Sequence, residues 1–124
     1  MQSADAVLTF EALSSPIRLA LFRLLMRHMP DGMVAGELAA ALGISATNLS
    51  FHLKTLSHAG LIAATPQGRF LRYRAQVERM NAVVSFLTDE CCQGNPELCR
   101  ADSTSTRVPA GRALEAAPRR RVRT

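Results

Sequence analysis

Two short helical segments joined by a glycine turn occupy the middle of this chain. The first runs from about Val34 to Leu42 and the second from Ala46 to Ala59, with Gly43-Ile44-Ser45 between them. Glycine adopts the left-handed backbone that commonly ends a helix, and a serine placed before a helix can cap its first turn. A short helix, a tight turn and a second helix are the outline of a helix-turn-helix.

Further helices are predicted on both sides of this unit. Ser14-Ser15-Pro16 combines a hydroxyl cap with proline at the first helical position, and it opens a predicted helix that ends near His28. Other helices are expected from Asp5 to Leu13 and from about Gln76 to Glu90. Their apolar contacts are expected from Val7, Leu8, Phe10 and Leu13 in the first helix and from Val77, Met80, Val83, Val84 and Leu87 in the last. So small a core cannot cover two terminal helices completely, which favours a homodimer that pairs them.

Two strands are predicted between the helix-turn-helix and the last helix. Leu61–Thr65 and Arg69–Arg74 have strand character, and Pro66-Gln67-Gly68 supplies a turn between them. The predicted fold is therefore mainly α with a small β-hairpin, a winged helix-turn-helix that forms one domain over residues 1–99.

Charge is distributed unevenly along the chain. Residues 1–99 carry eight basic and eight acidic side chains, so the net charge of +5 belongs to residues 100–124. That arginine-rich tail also contains much Ser, Thr, Ala and Pro, and we predict that it is disordered. It has two open interpretations, nonspecific attraction to phosphates or a solvated terminus without function. Within the body, residues 45–79 hold five bases and one acid, which is typical of a surface that contacts phosphates.

Several functional classes are not expected. No stretch approaches the roughly 20 apolar residues that span a bilayer, and the first residues lack the pattern of a signal peptide. We therefore expect a cytoplasmic protein with no membrane partner, whose thiols stay reduced. No Ser-His-Asp set, glycine-rich phosphate loop or Cys-x5-Arg loop is present in the sequence, so no enzymatic activity and no catalytic cofactor are predicted.

The second helix of the helix-turn-helix has one apolar and one polar face. On a helical wheel, Leu49, Leu53 and Leu56 share the inner face. The outer face holds Thr47, Ser50, Phe51, Lys54 and His58. Small hydroxyls can hydrogen-bond base edges, and Lys54 can reach a phosphate. An ordinary amphipathic surface helix would also be polar outside, but the preceding glycine turn and the following basic hairpin favour DNA.

Five side chains of this region have competing interpretations. Phe51 can contact a thymine methyl group or pack against the hairpin, and the sequence does not decide between them. His52, beside the apolar face, is more typical of a packed residue than of a ligand. Gln67 and Arg69, at the hairpin tip, are predicted to approach the DNA backbone or minor groove. Arg74 is more typical of an arginine that keeps an exposed strand soluble.

Three segments of the chain carry a resemblance to a known family. These segments are LSSPIRLALFRLL, ELAAALGISATNLSFHLKTLSHAGLI and GRFLRYR. With them, the chain resembles the ArsR/SmtB family of winged-helix metalloregulatory repressors over about residues 8–90. The resemblance implies a homodimer that binds operator DNA when empty and leaves it when an ion binds. It also implies DNA contacts from Ala46, Thr47, Ser50 and Phe51, although alanine and phenylalanine stand where polar residues are common in the family.

All three cysteines of the chain, Cys91, Cys92 and Cys99, lie within nine residues. Soft thiolates select soft ions, and As(III) or Sb(III) favours three of them. On a regular helix the side chains at 91 and 92 point about 100° apart, so the helix must end there if both are to reach one ion. Zinc would need a fourth ligand such as Glu90 or Glu97. Three unrelated thiols or a regulatory disulfide are the remaining interpretations.

The resemblance narrows the choice of site. The family's cysteine site in the first helix of the helix-turn-helix is absent, because residues 34–39 contain no cysteine, and residues 76–90 lack the histidines of its zinc site. The cluster resembles members with a vicinal pair and a third cysteine beyond the last helix, which implies a repressor that releases its operator when three thiolates bind As(III) or Sb(III). Zn/Cd, methylarsenite or thiol-redox sensing stay open, as do, from other classes, a metalloid-binding buffer protein and a small thiol enzyme.

Overall fold

The computed structural model describes residues 1–95 and 97–98. Cys99 and the predicted tail, residues 100–124, lie outside the described residues. A first compact unit covers Met1–Phe86, and a second unit begins at Leu87. In chain order the elements are α1 (Ser3–Leu13), α2 (Pro16–Arg27), β1 (Met33–Val34), α3 (Ala35–Leu42), α4 (Ala46–His58), β2 (Ile62–Gln67), β3 (Phe70–Ala75), α5 (Val77–Thr88) and α6 (Cys91–Gly94).

Helices α2 and α4 begin, and α3 ends, where the local sequence predicts. The Ser15 hydroxyl accepts a hydrogen bond from the Arg18 backbone amide at 3.3 Å, with proline at the start of α2. The Ser45 hydroxyl accepts from the Asn48 amide at 3.1 Å and caps α4. Gly43 ends α3 with a φ of 67°, in the left-handed region that favours glycine. These local interactions define the helix-turn-helix.

The predicted hairpin is present, but it belongs to a three-stranded antiparallel sheet in the order β1-β3-β2. The additional strand β1 pairs Met33 with Tyr73 and Val34 with Arg72. Two residues are too few to show an alternating pattern in the sequence, and Val34 was expected to begin α3 instead.

The turn of the hairpin lies one to two residues later than predicted. Pro66 and Gln67 belong to β2, where Gln67 pairs with Phe70, and the turn consists of Gly68 and Arg69. Gly68 has a φ of 64°, and tight two-residue hairpin turns require such a left-handed residue. Proline is tolerated in β2 because this strand lies at an edge of the sheet.

Leucines from α2, α3 and α4, with one that immediately precedes β2, form the core of the first unit. The most deeply buried leucines are Leu21, Leu25, Leu38, Leu49, Leu56 and Leu61. The predicted inner face of α4 is therefore confirmed. No helix among the described residues has the length and apolar character that crossing a bilayer requires.

The terminal helices expose apolar residues that were expected to be buried. Helix α1 turns the small residues Ala6, Thr9 and Ala12 inward, while Val7, Leu8 and Phe10 are 53%, 36% and 43% exposed. In α5, Val83 is buried, whereas Val84 and Leu87 are 52% and 61% exposed. A single copy of the chain thus leaves one apolar side of each terminal helix in contact with water.

Candidate nucleic-acid interface and thiol pair

Helix α4 presents a continuous exposed face opposite its buried leucines. Thr47, Ser50, Phe51 and Lys54 are all exposed, and Ala46 is exposed at the first position of the helix. Their spacing of three or four residues places Thr47 through Lys54 in one stripe along the helix. In the part of the chain that the structure describes, the hydroxyls of Thr47 and Ser50 make no hydrogen bond, so both can act as donors and acceptors toward a ligand.

Phe51 is held beside a packed histidine. Its ring, 63% exposed, meets the His52 ring edge-on, with centroids 5.6 Å apart and planes inclined by 70°. His52 is half-buried, and its Nδ1 lies 3.3 Å from Nη1 of Arg18. Nε of Arg18 in turn donates to the Ala12 carbonyl oxygen at 2.6 Å. His52 is therefore a packed residue that connects α4 with α2 and the end of α1, as its position in the sequence favours.

A groove of about 490 Å³ lies between α1 and α4, and Phe51 forms part of its wall. The lining residues come from α1, α2 and α4 and are Leu8, Glu11, Ala12, Arg18, Phe51, Lys54, Thr55 and His58. The ring thus lies toward α1, whereas one of the two alternatives predicted from the sequence was packing against the hairpin.

The hairpin is fastened to the loop that follows α2 by two arginines of β3. Arg72 donates from Nη1 to the Gly32 carbonyl at 3.1 Å, and Arg74 donates from Nε to the Pro30 carbonyl at 3.0 Å. Arg74 also donates from Nη1 to the Thr65 hydroxyl at 3.2 Å. These side chains position the hairpin as well as adding charge. Sequence reasoning missed this role because the partners lie about 40 residues earlier in the chain.

Gln67 and Arg69, the two residues predicted to contact DNA from the hairpin, are both exposed. Oε1 of Gln67 accepts a hydrogen bond from Nε of Arg72 at 2.6 Å. Because the amide oxygen is engaged, the amide nitrogen of Gln67 remains to donate to an external acceptor such as a phosphate oxygen. Arg69 lies in the turn itself, at the tip of the hairpin.

The vicinal cysteines lie in a short turn of the second unit. Helix α5 ends at Thr88, and the backbone of Cys92 and Gln93 is left-handed, with φ of 54° and 60°. Sγ of Cys91 and Sγ of Cys92 are 3.5 Å apart, with Cys92 exposed and Cys91 half-buried. The backbone therefore departs from a regular helix at Cys92, and the two sulfurs lie close together.

The distance between these sulfurs suits a shared ion. With a metal–thiolate bond of about 2.3 Å, taken from zinc, and an angle of about 90–110°, two sulfurs on one ion lie roughly 3.3–3.8 Å apart. Over residues 1–95 and 97–98, no group of three His, Cys, Asp or Glu side chains is arranged to hold a metal. The third predicted ligand, Cys99, lies outside those residues.

Comparison with known proteins links the chain to DNA-binding regulators. Residues 13–64 match the model of a helix-turn-helix domain family. The HTH-type transcriptional regulator CmtR of Mycobacterium tuberculosis is 36% identical over 89 residues, which cover 65% of this chain and 73% of that protein.

Solved structures extend the likeness to most of the chain. An ArsR-like transcriptional regulator from Rhodococcus sp. RHA1 superposes with a TM-score of 0.65 at 25% identity, covering 90% of this chain and 96% of the other. The homodimeric winged helix-turn-helix domain of Mb0332 from Mycobacterium bovis, a possible ArsR-family regulator, gives a TM-score of 0.57 at 28% identity and covers 70% and 81%.

Proposed function

Because this chain belongs to the ArsR family of winged helix-turn-helix transcriptional regulators, we propose that it is a repressor whose operator is released when a trivalent metalloid binds. The proposed ligands of As(III) or Sb(III) are Cys91, Cys92 and Cys99. The relatives are regulators, a non-enzymatic class, which agrees with the prediction that the chain is not an enzyme. We place it in the cytoplasm, where the thiols stay reduced.

The observation that carries the metalloid half of this proposal is the 3.5 Å separation of the Cys91 and Cys92 sulfurs. The 3.5 Å contact is within reach of a hydrogen bond between the two thiols, and two sulfurs that already lie at this distance need little rearrangement to bind one ion as thiolates. Cys99 follows after six residues that include Gly94 and Pro96, a composition that favours a turn back toward the pair. Three thiolates match the charge and the softness of a trivalent ion, whereas zinc needs a fourth ligand.

The DNA half rests on the exposed stripe of α4 and on the hairpin tip. We propose that Ala46, Thr47, Ser50 and Phe51 face base edges in the major groove, because the first turns of the second helix usually do so. Lys54 and Arg69 offer donors only, and Gln67 adds its amide N–H donors, which suits phosphate oxygens. These seven residues form the proposed DNA-binding surface.

A homodimer would cover the exposed apolar residues of the terminal helices. Val7, Leu8 and Phe10 of α1 are exposed in one copy, and the Mycobacterium bovis neighbour is homodimeric. Cys91 follows the end of α5 after two residues. An ion that reshapes this turn can therefore alter α5. If α5 forms part of the dimer interface, that change also alters the spacing between the α4 helices of the two protomers.

The test is a titration of arsenite into the complex of the full chain with duplex DNA from its own upstream region, followed by fluorescence anisotropy. We expect two chains per duplex and an affinity that falls about 5- to 150-fold, the range of ordinary allosteric coupling. The buffer must contain no dithiol, which would compete for the ion.

Parallel titrations with zinc and cadmium separate the alternatives. A DNA affinity that arsenite and antimonite leave unchanged would contradict the proposal. Release by zinc or cadmium at lower concentration than by arsenite would favour the divalent-metal sensor instead.

A further inference from the structure

Phe51 stands out among the seven residues of the proposed DNA-binding surface because its side chain is large and has no hydrogen-bonding atom. It is 63% exposed, and it lies in the same stripe as Thr47, Ser50 and Lys54. An isolated apolar residue on a protein surface needs no special explanation. On one side Phe51 borders the groove toward Leu8 and Ala12 of α1, and on the other it lies among the polar side chains of the proposed DNA-binding surface, where an apolar ring restricts what the ligand can be.

The ring of Phe51 is also held in place from beneath. Its edge-on contact with His52, at 5.6 Å between centroids, rests on a histidine that is itself fixed by Arg18. Arg18 is fixed in turn by the Ala12 carbonyl at 2.6 Å. This series of contacts joins three helices, so the ring projects from α4 in a defined direction and loses little freedom on binding a partner.

In the major groove, hydrogen-bonding groups mark guanine, adenine and cytosine, and the C5-methyl group of thymine is the apolar feature of a base edge. A phenylalanine ring can therefore favour thymine and cannot satisfy the polar edges of the other bases. The hydroxyls of Thr47 and Ser50, without partners in the described part of the chain, can hydrogen-bond neighbouring bases.

We infer that Phe51 is a specificity-determining residue that reads the methyl group of a thymine in each half of the operator. The inference rests on the proposed function, since it requires that α4 bind duplex DNA. It goes further by naming the chemical group that is read and the residue that reads it, with His52 and Arg18 as positioning residues.

The experiment replaces each thymine of one operator half-site, in turn, by deoxyuridine, which removes only the methyl group. The affinity of the wild-type chain and of Phe51→Gln is measured for every duplex by fluorescence anisotropy at fixed salt. For the wild type, we expect one position at which the loss of the methyl weakens binding about fourfold, the effect of removing one buried methyl-sized group. Phe51→Gln should bind the two duplexes equally at that position.

Phe70→Ala serves as the matched control, because Phe70 is 61% exposed but lies at the hairpin tip. This variant should keep the dependence on the methyl group at the same position. Binding by the wild type without any methyl dependence, or a dependence that Phe51→Gln retains, would overturn the inference and leave the proposed function intact. Failure of the wild type to bind any duplex from its upstream region would overturn both.

Discussion

Replacing Cys92 by serine is expected to abolish the release of operator DNA by As(III), while the ion-free variant still forms the operator complex. The reason is chemical, because a serine hydroxyl is a hard, neutral oxygen ligand that does not replace a soft thiolate. Two remaining thiolates leave the trivalent ion with an incomplete set of ligands. In the wild type, arsenite should lower the DNA affinity by about 5- to 150-fold. In Cys92→Ser, arsenite should leave the DNA affinity unchanged.

The matched control for this variant is Gln93→Asn in the same turn. Gln93 has a φ of 60°, and asparagine tolerates that left-handed conformation better than most residues, so the turn and its thiols are kept. This control should respond to arsenite like the wild type. An undiminished response in Cys92→Ser, measured by the same anisotropy titration, would show that the cluster is not the sensor.

Gly32→Ala is expected to destabilise the fold by about 2–4 kcal/mol, in the range of mutations that force backbone strain or a steric clash. Gly32 has a φ of 77°, and an added Cβ would overlap the carbonyl oxygen of Tyr73 on the neighbouring strand. The carbonyl of Gly32 also accepts the hydrogen bond from Arg72 that fastens the hairpin. A shift of this loop would therefore disturb β1 and β3 together.

Gly43→Ala provides the comparison, since Gly43 is also left-handed, with a φ of 67°, but has open space where the Cβ would be placed. Its expected cost is only about 1–2 kcal/mol, the penalty of the left-handed conformation alone. Urea unfolding, followed by circular dichroism at one protein concentration, compares the free energies of unfolding. If both variants lose the same free energy of unfolding, the overlap with the Tyr73 carbonyl adds no cost in Gly32→Ala.

Local signals were sufficient to predict most of this fold. Ser15 with Pro16, Ser45 and Gly43 mark helix ends through interactions within a few residues, and the structure has those ends. The leucines of α4 likewise predicted its buried face. Such features depend on the nearest neighbours in the chain, which a sequence displays directly.

Features that depend on distant partners were not predictable in the same way. The pairing of Met33 with Tyr73 and the bond from Arg72 to Gly32 join residues about 40 positions apart, and nothing in either segment identifies the other. The inward face of α1 was also predicted wrongly. Its small residues pack closely against the rest of the first unit, so Val7 and Phe10 are left outside.

Of the candidate sites, the exposure of the α4 stripe followed from spacing along the chain, whereas the close approach of Cys91 and Cys92 also depends on the left-handed backbone that follows α5. The anchoring of Phe51 through His52 and Arg18 did not, because it needs three helices in their final positions. The role of each site residue in DNA or metalloid binding stays a prediction.

X-ray absorption at the arsenic edge, recorded on the full chain loaded with one equivalent of arsenite, tests the metalloid site most directly. We predict three sulfur neighbours around each arsenic atom, supplied by Cys91, Cys92 and Cys99. A spectrum with a single sulfur neighbour, or with oxygen neighbours alone, would contradict the proposed three-thiolate site.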